Sequence, residues 1–197
     1  YTIAICAVSI GVYPAIYFVI DRKFGLLASK SEVLLADVLW NTMFYTHIIL
    51  GGIALFIGWI QFHKKFRVKN LEVHKKIGKV YIASCLISGI SGFYIALHAT
   101  GGMGPKLGFM SMALFWFFST LYAFTSIKKG NIIKHQKLMI YSYAACFSAV
   151  TLRIWLPILT SSIGSFIPAY RIVAWLSWIP NIIVAYFIIK NQQLKTI

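Results

Sequence analysis

The chain has 197 residues, 59% of them hydrophobic and only 12% charged, with a formal net charge of +15. A soluble fold of this size would leave large apolar patches exposed, so lipid is the expected solvent for most of its surface. The basic residues fall in short loops between apolar runs, a pattern that sets orientation in a bilayer and speaks against nucleic-acid binding.

A spanning helix needs about 20 mostly apolar residues, because across ~30 Å of hydrocarbon the backbone must satisfy its own hydrogen bonds. Six segments meet this demand, at 2–20, 41–62, 78–99, 107–127, 138–159 and 170–189. Their short connections predict an all-α fold, a single polytopic membrane helix bundle over 1–197 with six transmembrane helices. The first run is longer than a signal peptide's core and has no small-residue cleavage site after it, so it reads as a retained span.

The next connection, Asp21 to Trp40, is the longest and holds Asp21, Glu32 and Asp37. Its stretch from Ser31 to Trp40 opens on Ser and Glu and mixes apolar with acidic residues, which predicts a short interfacial helix. Further on, one loop carries Lys64, Lys65, Arg67, Lys69, Lys75, Lys76 and Lys79, and another carries Lys128, Lys129, Lys134 and Lys137. With Lys190 and Lys195 of the tail these make thirteen of the nineteen Lys and Arg residues on one side. The positive-inside rule makes that side cytoplasmic, with both termini on it. Arg22, Lys23, Lys30, Lys106 and Arg171 fall on the other side. The three cysteines, Cys6, Cys85 and Cys146, lie in apolar segments without metal-ligand spacing, so no disulfide framework is expected.

Helical phase converts the spans into faces. In the second span His47 stands over Gly51, Ala54 and Gly58, a groove that admits a flat ligand or a closely packed helix. The third span aligns His74, Gly78, Tyr81, Cys85, Ser88 and Gly92. The fifth aligns His135, Met139, Ser142, Cys146, Ala149 and Arg153, placing an imidazole and a guanidinium ~27 Å apart on one stripe. An arginine inside a span is costly unless it snorkels or finds a partner, and Asp37, a backbone carbonyl, a lipid headgroup or a cofactor carboxylate are its candidates.

His63 sits between Gln61 and two lysines and reads as a solvated loop residue. His74 and His135 each precede or open a span on the cytoplasmic side, and two such imidazoles can flank a planar cofactor as in a low-spin b-type haem. His47 and His98 form a second candidate pair toward the outer side, although His98 is out of phase with the His74 stripe. Equally, interfacial histidines can simply bond lipid phosphates or loop carbonyls. Trp155, Trp175 and Trp178 read as interface anchors or packed rings.

Several motifs in order carry a family resemblance: HIILGGIALFIGWIQF from His47, HKKIGKVY from His74 to Tyr81, Gly108-Phe109, HQKLM from His135 to Met139, and TLRIWLP from Thr151 to Pro157. Together they resemble a bacterial family of predicted membrane proteins, domain of unknown function 2306, over about residues 41 to 160. The resemblance implies a multi-span protein of a bacterial inner membrane and no established activity. More distantly, the placing of His47, His74 and His135 is similar to the ascorbate-reducible di-haem cytochromes b. That likeness implies haem b on His74 and His135, with the outer pair incomplete unless His98 stands in for a histidine missing from the fourth span.

The leading expectation is an integral membrane haem b protein passing electrons between a quinone or periplasmic donor and a redox partner protein. His74, His135, His47 and His98 would be its ligands, Arg153 would compensate charge, and Tyr81 would lie beside the cofactor. A cofactor-free accessory subunit of a membrane complex is the alternative, and a transporter along the polar stripes is a third.

Overall fold

The computed structural model describes residues 2–19 and 25–194, so Asp21, Arg22, Lys23 and Lys195 lie outside the described residues. Within them every regular element is a helix. Five stretches are long and apolar enough to cross a membrane: Val38–Phe62, Leu71–Ala96, Met103–Lys128, Ile132–Ile163 and Phe166–Gln192. The polytopic helical bundle expected from the sequence is therefore present. Among the described residues the first apolar run contributes a shorter apolar helix over Ala4–Tyr17.

Pro14 marks a change of helix type within that run. Helix α1 (Thr2–Val12) passes into a 3-10 turn at Tyr13–Phe18, with the proline in its first turn. Proline lacks an N–H and its ring blocks the carbonyl four residues back, so the α-ladder stops there. Helix α1 lies against α3 (Val38–Gly58) with backbones almost touching: a Cβ on Gly52 would sit 2.6 Å from the Gly11 carbonyl oxygen.

The short helix expected before α3 is α2 (Glu32–Ala36), capped by Ser31 Oγ accepting from the Leu34 N–H at 3.3 Å. It ends earlier than expected because Asp37 starts α3 instead, its carboxylate accepting from the Trp40 N–H at 2.7 Å. A capping carboxylate is held at the helix start. Accordingly the possible Asp37–Arg153 ion pair does not form, and Arg153 has no carboxylate within ion-pair distance among the described residues.

Beyond α3 a 3-10 turn at Trp59–Phe62 leads into α4 (Lys64–Lys69), whose start is capped by His63 Nδ1 accepting from the Phe66 N–H at 3.2 Å. Helices α5 (Leu71–Ala96) and α6 (Met103–Lys128) then form a long antiparallel pair, and Gly130 at φ 77° turns the chain into α7 (Ile132–Cys146). The two lysine-rich loops therefore share one end of the bundle, here called the basic end. The central core gathers Ala54, Leu55, Tyr81, Cys85, Trp116, Ala123, Met139, Tyr143 and Cys146 from α3, α5, α6 and α7.

The fifth and sixth spans are each interrupted. Phe147 separates α7 from α8 (Ser148–Ile163), and Ser177 and Trp178 separate α9 (Phe166–Leu176) from α10 (Ile179–Leu194). The two interruptions are joined: Asn181 Nδ2 donates to the Ala144 carbonyl at 3.3 Å and to the Ser177 carbonyl at 3.1 Å, and Thr151 Oγ1 also donates to the Ser177 carbonyl. Inside a bilayer, carbonyls freed by a kink must find partners within the protein, and these side chains supply them. Trp178 packs on Phe115 and Trp175 with ring centroids 6.2 Å away in each case, and Trp155 and Trp175 are each 38% exposed.

Candidate functional site: a donor-rich cavity and a polar cluster at the basic end

A cavity of about 200 Å³ lies at the end of the bundle opposite the basic loops. Its polar groups include those of His47, Arg153, Lys30 and Tyr17. Trp40, Phe44, Phe109 and Trp116 supply aromatic wall, and Gly51, Gly92, Ala96, Ala145 and Ala149 keep it free of bulk. Much of this wall comes from the predicted stripes, so His47, Gly51, Gly92, Cys146, Ala149 and Arg153 do converge. The small-residue groove on α3 has two fates. Its Gly51 end opens on the cavity, while at Gly58 the rings of Tyr143 and Tyr81 occupy the position, 2.5 and 2.8 Å from where a Cβ would be.

Gly92 seats His47. A Cβ there would lie 2.7 Å from His47 Nδ1, so only glycine lets the imidazole lie flat on α5. In that seat Nδ1 is 2.9 Å from the Ser88 carbonyl, while Ser88 Oγ donates to the His47 carbonyl at 2.9 Å. A carbonyl can only accept, so Nδ1 carries the proton and Nε2 keeps its lone pair. Metal-ligating imidazoles are commonly oriented by this kind of Nδ1–H to carbonyl bond.

Arg153 reaches the cavity from α8. Its Nη1 donates to the Ala149 carbonyl at 2.9 Å and its guanidinium carbon lies 4.4 Å from the Tyr13 ring centroid, but Nε is buried without a partner. Trp40 Nε1 and Trp116 Nε1 are buried and unpartnered as well. Lys30 Nζ donates to the His98 carbonyl at 2.5 Å and to Thr100 Oγ1 at 3.1 Å. Burial, with the Lys106 charge adding to it, pushes the Lys30 ammonium down to about 8. The lining residues thus carry cations and unmet N–H donors, each unmet buried group costing about 1–3 kcal/mol, and no carboxylate.

The remaining candidates fall elsewhere. His98 does not line the cavity; its ring packs on Tyr94 at 5.2 Å between centroids. Tyr81 is buried in the central core, where its hydroxyl and Ser142 Oγ are 3.0 Å apart and Ser142 Oγ is 2.6 Å from Thr120 Oγ1. His135 Nδ1 donates to the Ala123 carbonyl at 2.9 Å. His74 Nδ1 itself is buried without a partner. Among the described residues no three His, Cys, Asp or Glu side chains cluster together.

A family model described as predicted membrane protein, domain of unknown function 2306, matches residues 44–189. The chain belongs to that family. The match takes in α5 to α9 whole and most of α3 and α10, including His47, Gly92 and Arg153. No curated protein and no solved structure matches the chain.

Sequence reasoning missed three contributors. Lys30 counted only as an orientation charge, Trp40 as the end of an interfacial helix, and Gln61 as a neighbour of His63. Gln61 is in fact 6% exposed, with both amide atoms buried and unpartnered. Its one available signal is a polar residue set inside the apolar run Trp59, Ile60, Phe62.

Proposed function

We propose that the protein is a haem b-binding membrane protein serving electron transfer, with the His47 cavity as its binding site. The observation that carries this reading is the tethered His47 imidazole, its Nε2 lone pair left over, in one cavity with two cations and no carboxylate. His47 would be the axial ligand, Arg153 and Lys30 would hold the acidic edge of the cofactor, and Gly51, Ala96, Ala145 and Ala149 would leave room for its flat face. Bound there, haem b would supply a one-electron couple that the side chains lack. The apolar wall would keep water from the site, and the two cations would favour the acidic groups in a medium where charge is poorly screened.

His74 and His135 are the candidates for a second haem at the basic end. His135 has the tether such a role uses, and His74 does not. The positive-inside rule favours a cytoplasmic basic end in a bacterial inner membrane, which would set the His47 cavity toward the outer side and a quinone or redox partner within reach.

The test is the absorption spectrum of protein purified from haem-replete cells. A Soret band that disappears in His47→Ala supports the assignment, and a band that persists in this variant moves the site away from the cavity. A colourless protein overturns the haem reading and leaves that of an accessory subunit. The joined interruptions of α7–α8 and α9–α10 favour one other reading, a transporter with discontinuous helices. Because Asn181 and Thr151 already satisfy the freed carbonyls, that seam is better suited to holding the bundle together than to binding a substrate.

A further inference from the structure

Gln61 and His74 pose a separate problem at the other end of the bundle. Gln61 brings two N–H donors and an acceptor into the interior and uses none of them, and His74 Nδ1 is buried without a partner as well. Gly78 connects the two. The Gln61 Oε1 atom is the sole neighbour within 4 Å of a Cβ built on Gly78, at 3.7 Å, and His74 is one helical turn away on the same face. A glycine with so little around it beside three unmet polar atoms leaves space where polar atoms of another molecule are needed.

The surroundings narrow the chemistry. Both orphaned groups are uncharged in their ordinary forms, whereas an anionic headgroup would select the exposed lysines of the same end. Amide and imidazole together offer donors and an acceptor, so the ligand must accept and donate in turn. Phe62 and Tyr143, with ring centroids 5.2 Å apart, and Tyr81, 6.4 Å from Tyr143, form an aromatic wall beside the Gln61 segment. Phe62, Val68, Leu71 and Val73 are exposed apolar residues on neighbouring turns, which opens this level of the bundle to lipid rather than to water alone.

We propose that Gln61, His74 and the gap at Gly78 form a second binding site, for the carbonyl- and hydroxyl-bearing ring of a lipid-soluble quinone or quinol. Gln61 Nε2 and His74 Nδ1 donate to ring carbonyls, and Gln61 Oε1 accepts from a ring hydroxyl in the reduced form. This site does not depend on haem at His47. It does compete with a second haem on His74, and the variants below leave His74 in place so that the two ideas separate.

The experiment uses full-length protein in phosphatidylcholine nanodiscs, titrated with a short-chain ubiquinone and a short-chain menaquinone while tryptophan fluorescence and the unfolding temperature are followed. Saturable binding with a raised unfolding temperature is expected, weakened at least tenfold in Gln61→Leu and in Gly78→Leu. Leucine nearly matches glutamine in size and removes the orphaned amide, and Gly78→Leu gives a second route to the same gap. Uptake no greater than into empty nanodiscs overturns the proposal, as does binding that neither variant changes, or a high-resolution map with only water bridging Gln61 and His74. The Soret band is read on the same samples: its absence refutes the haem reading alone, and absence of quinone binding to the unaltered protein with the band intact refutes this one alone.

Discussion

Gly92→Ala tests the seat of His47 directly. The added methyl would sit 2.7 Å from Nδ1 and 2.8 Å from Cε1 of the imidazole, well inside van der Waals contact, and α5 cannot retreat because Ser88 and Ser91 are buried on the same helix. The ring must therefore turn off the helix and give up the 2.9 Å bond to the Ser88 carbonyl. Overpacking of this kind costs about 1–3 kcal/mol, and a lost hydrogen bond about 1 more. The better helix propensity of alanine returns about 1 kcal/mol, for a net loss of about 1–3 kcal/mol. In a domain of this size 2 kcal/mol corresponds to roughly 4–8 °C in unfolding temperature. The decisive measurement is a double-mutant cycle with His47→Ala, read by thermal unfolding in one detergent. With the imidazole gone the methyl enters vacated space, so Gly92→Ala should cost nothing or stabilise, a coupling of about 2 kcal/mol. An equal cost in both backgrounds would refute the seat, because propensity and local backbone effects are the same in each.

Three other outcomes follow from the cavity and the seam. Arg153→Met should leave the ligand-free protein as stable or slightly more so, since it removes a charge with no carboxylate beside it, while abolishing affinity for an anionic ligand; a large loss of stability would reveal a partner for that charge. Lys30 holds its charge only below about pH 8, against about 10.4 when unfolded, so the unfolded chain binds more protons between these values and stability should rise with pH across that window. Binding of an anionic ligand should weaken as pH passes through about 8, and Lys30→Arg should remove that dependence; an unchanged profile would take Lys30 out of the site. Asn181→Leu strips donors from the Ala144 and Ser177 carbonyls and should cost about 1–2 kcal/mol in detergent unfolding, whereas no measurable loss would mean the kinks satisfy themselves.

Much of this molecule was legible in the chain because it is local. The apolar runs mark the spans, and their backbone must be helical in lipid whatever the neighbours are. Ser31 and the acidic residues near it announce α2, the lysine clusters mark one end, and 3.6-residue phase picks out the buried faces of α5 and α7. Pro14 was equally visible, and its effect on α1 is a local rule that the length of the apolar run concealed.

What only the tertiary structure decided is which faces meet and at what height. Periodicity places His47 and Arg153 on inward stripes, but their shared cavity depends on the register of α3, α5 and α8, which no single helix encodes. The same register fills the groove at Gly58 with Tyr81 and Tyr143 while leaving it open at Gly51, and leaves His98 outside the cavity. It also buries Gln61 without a partner and brings the interruptions at Phe147 and Ser177 together. Between helices in a bilayer the hydrophobic drive is weak, so close packing of small residues and a few hydrogen bonds set that register. Those contacts join residues tens of positions apart and exist only once the bundle has assembled.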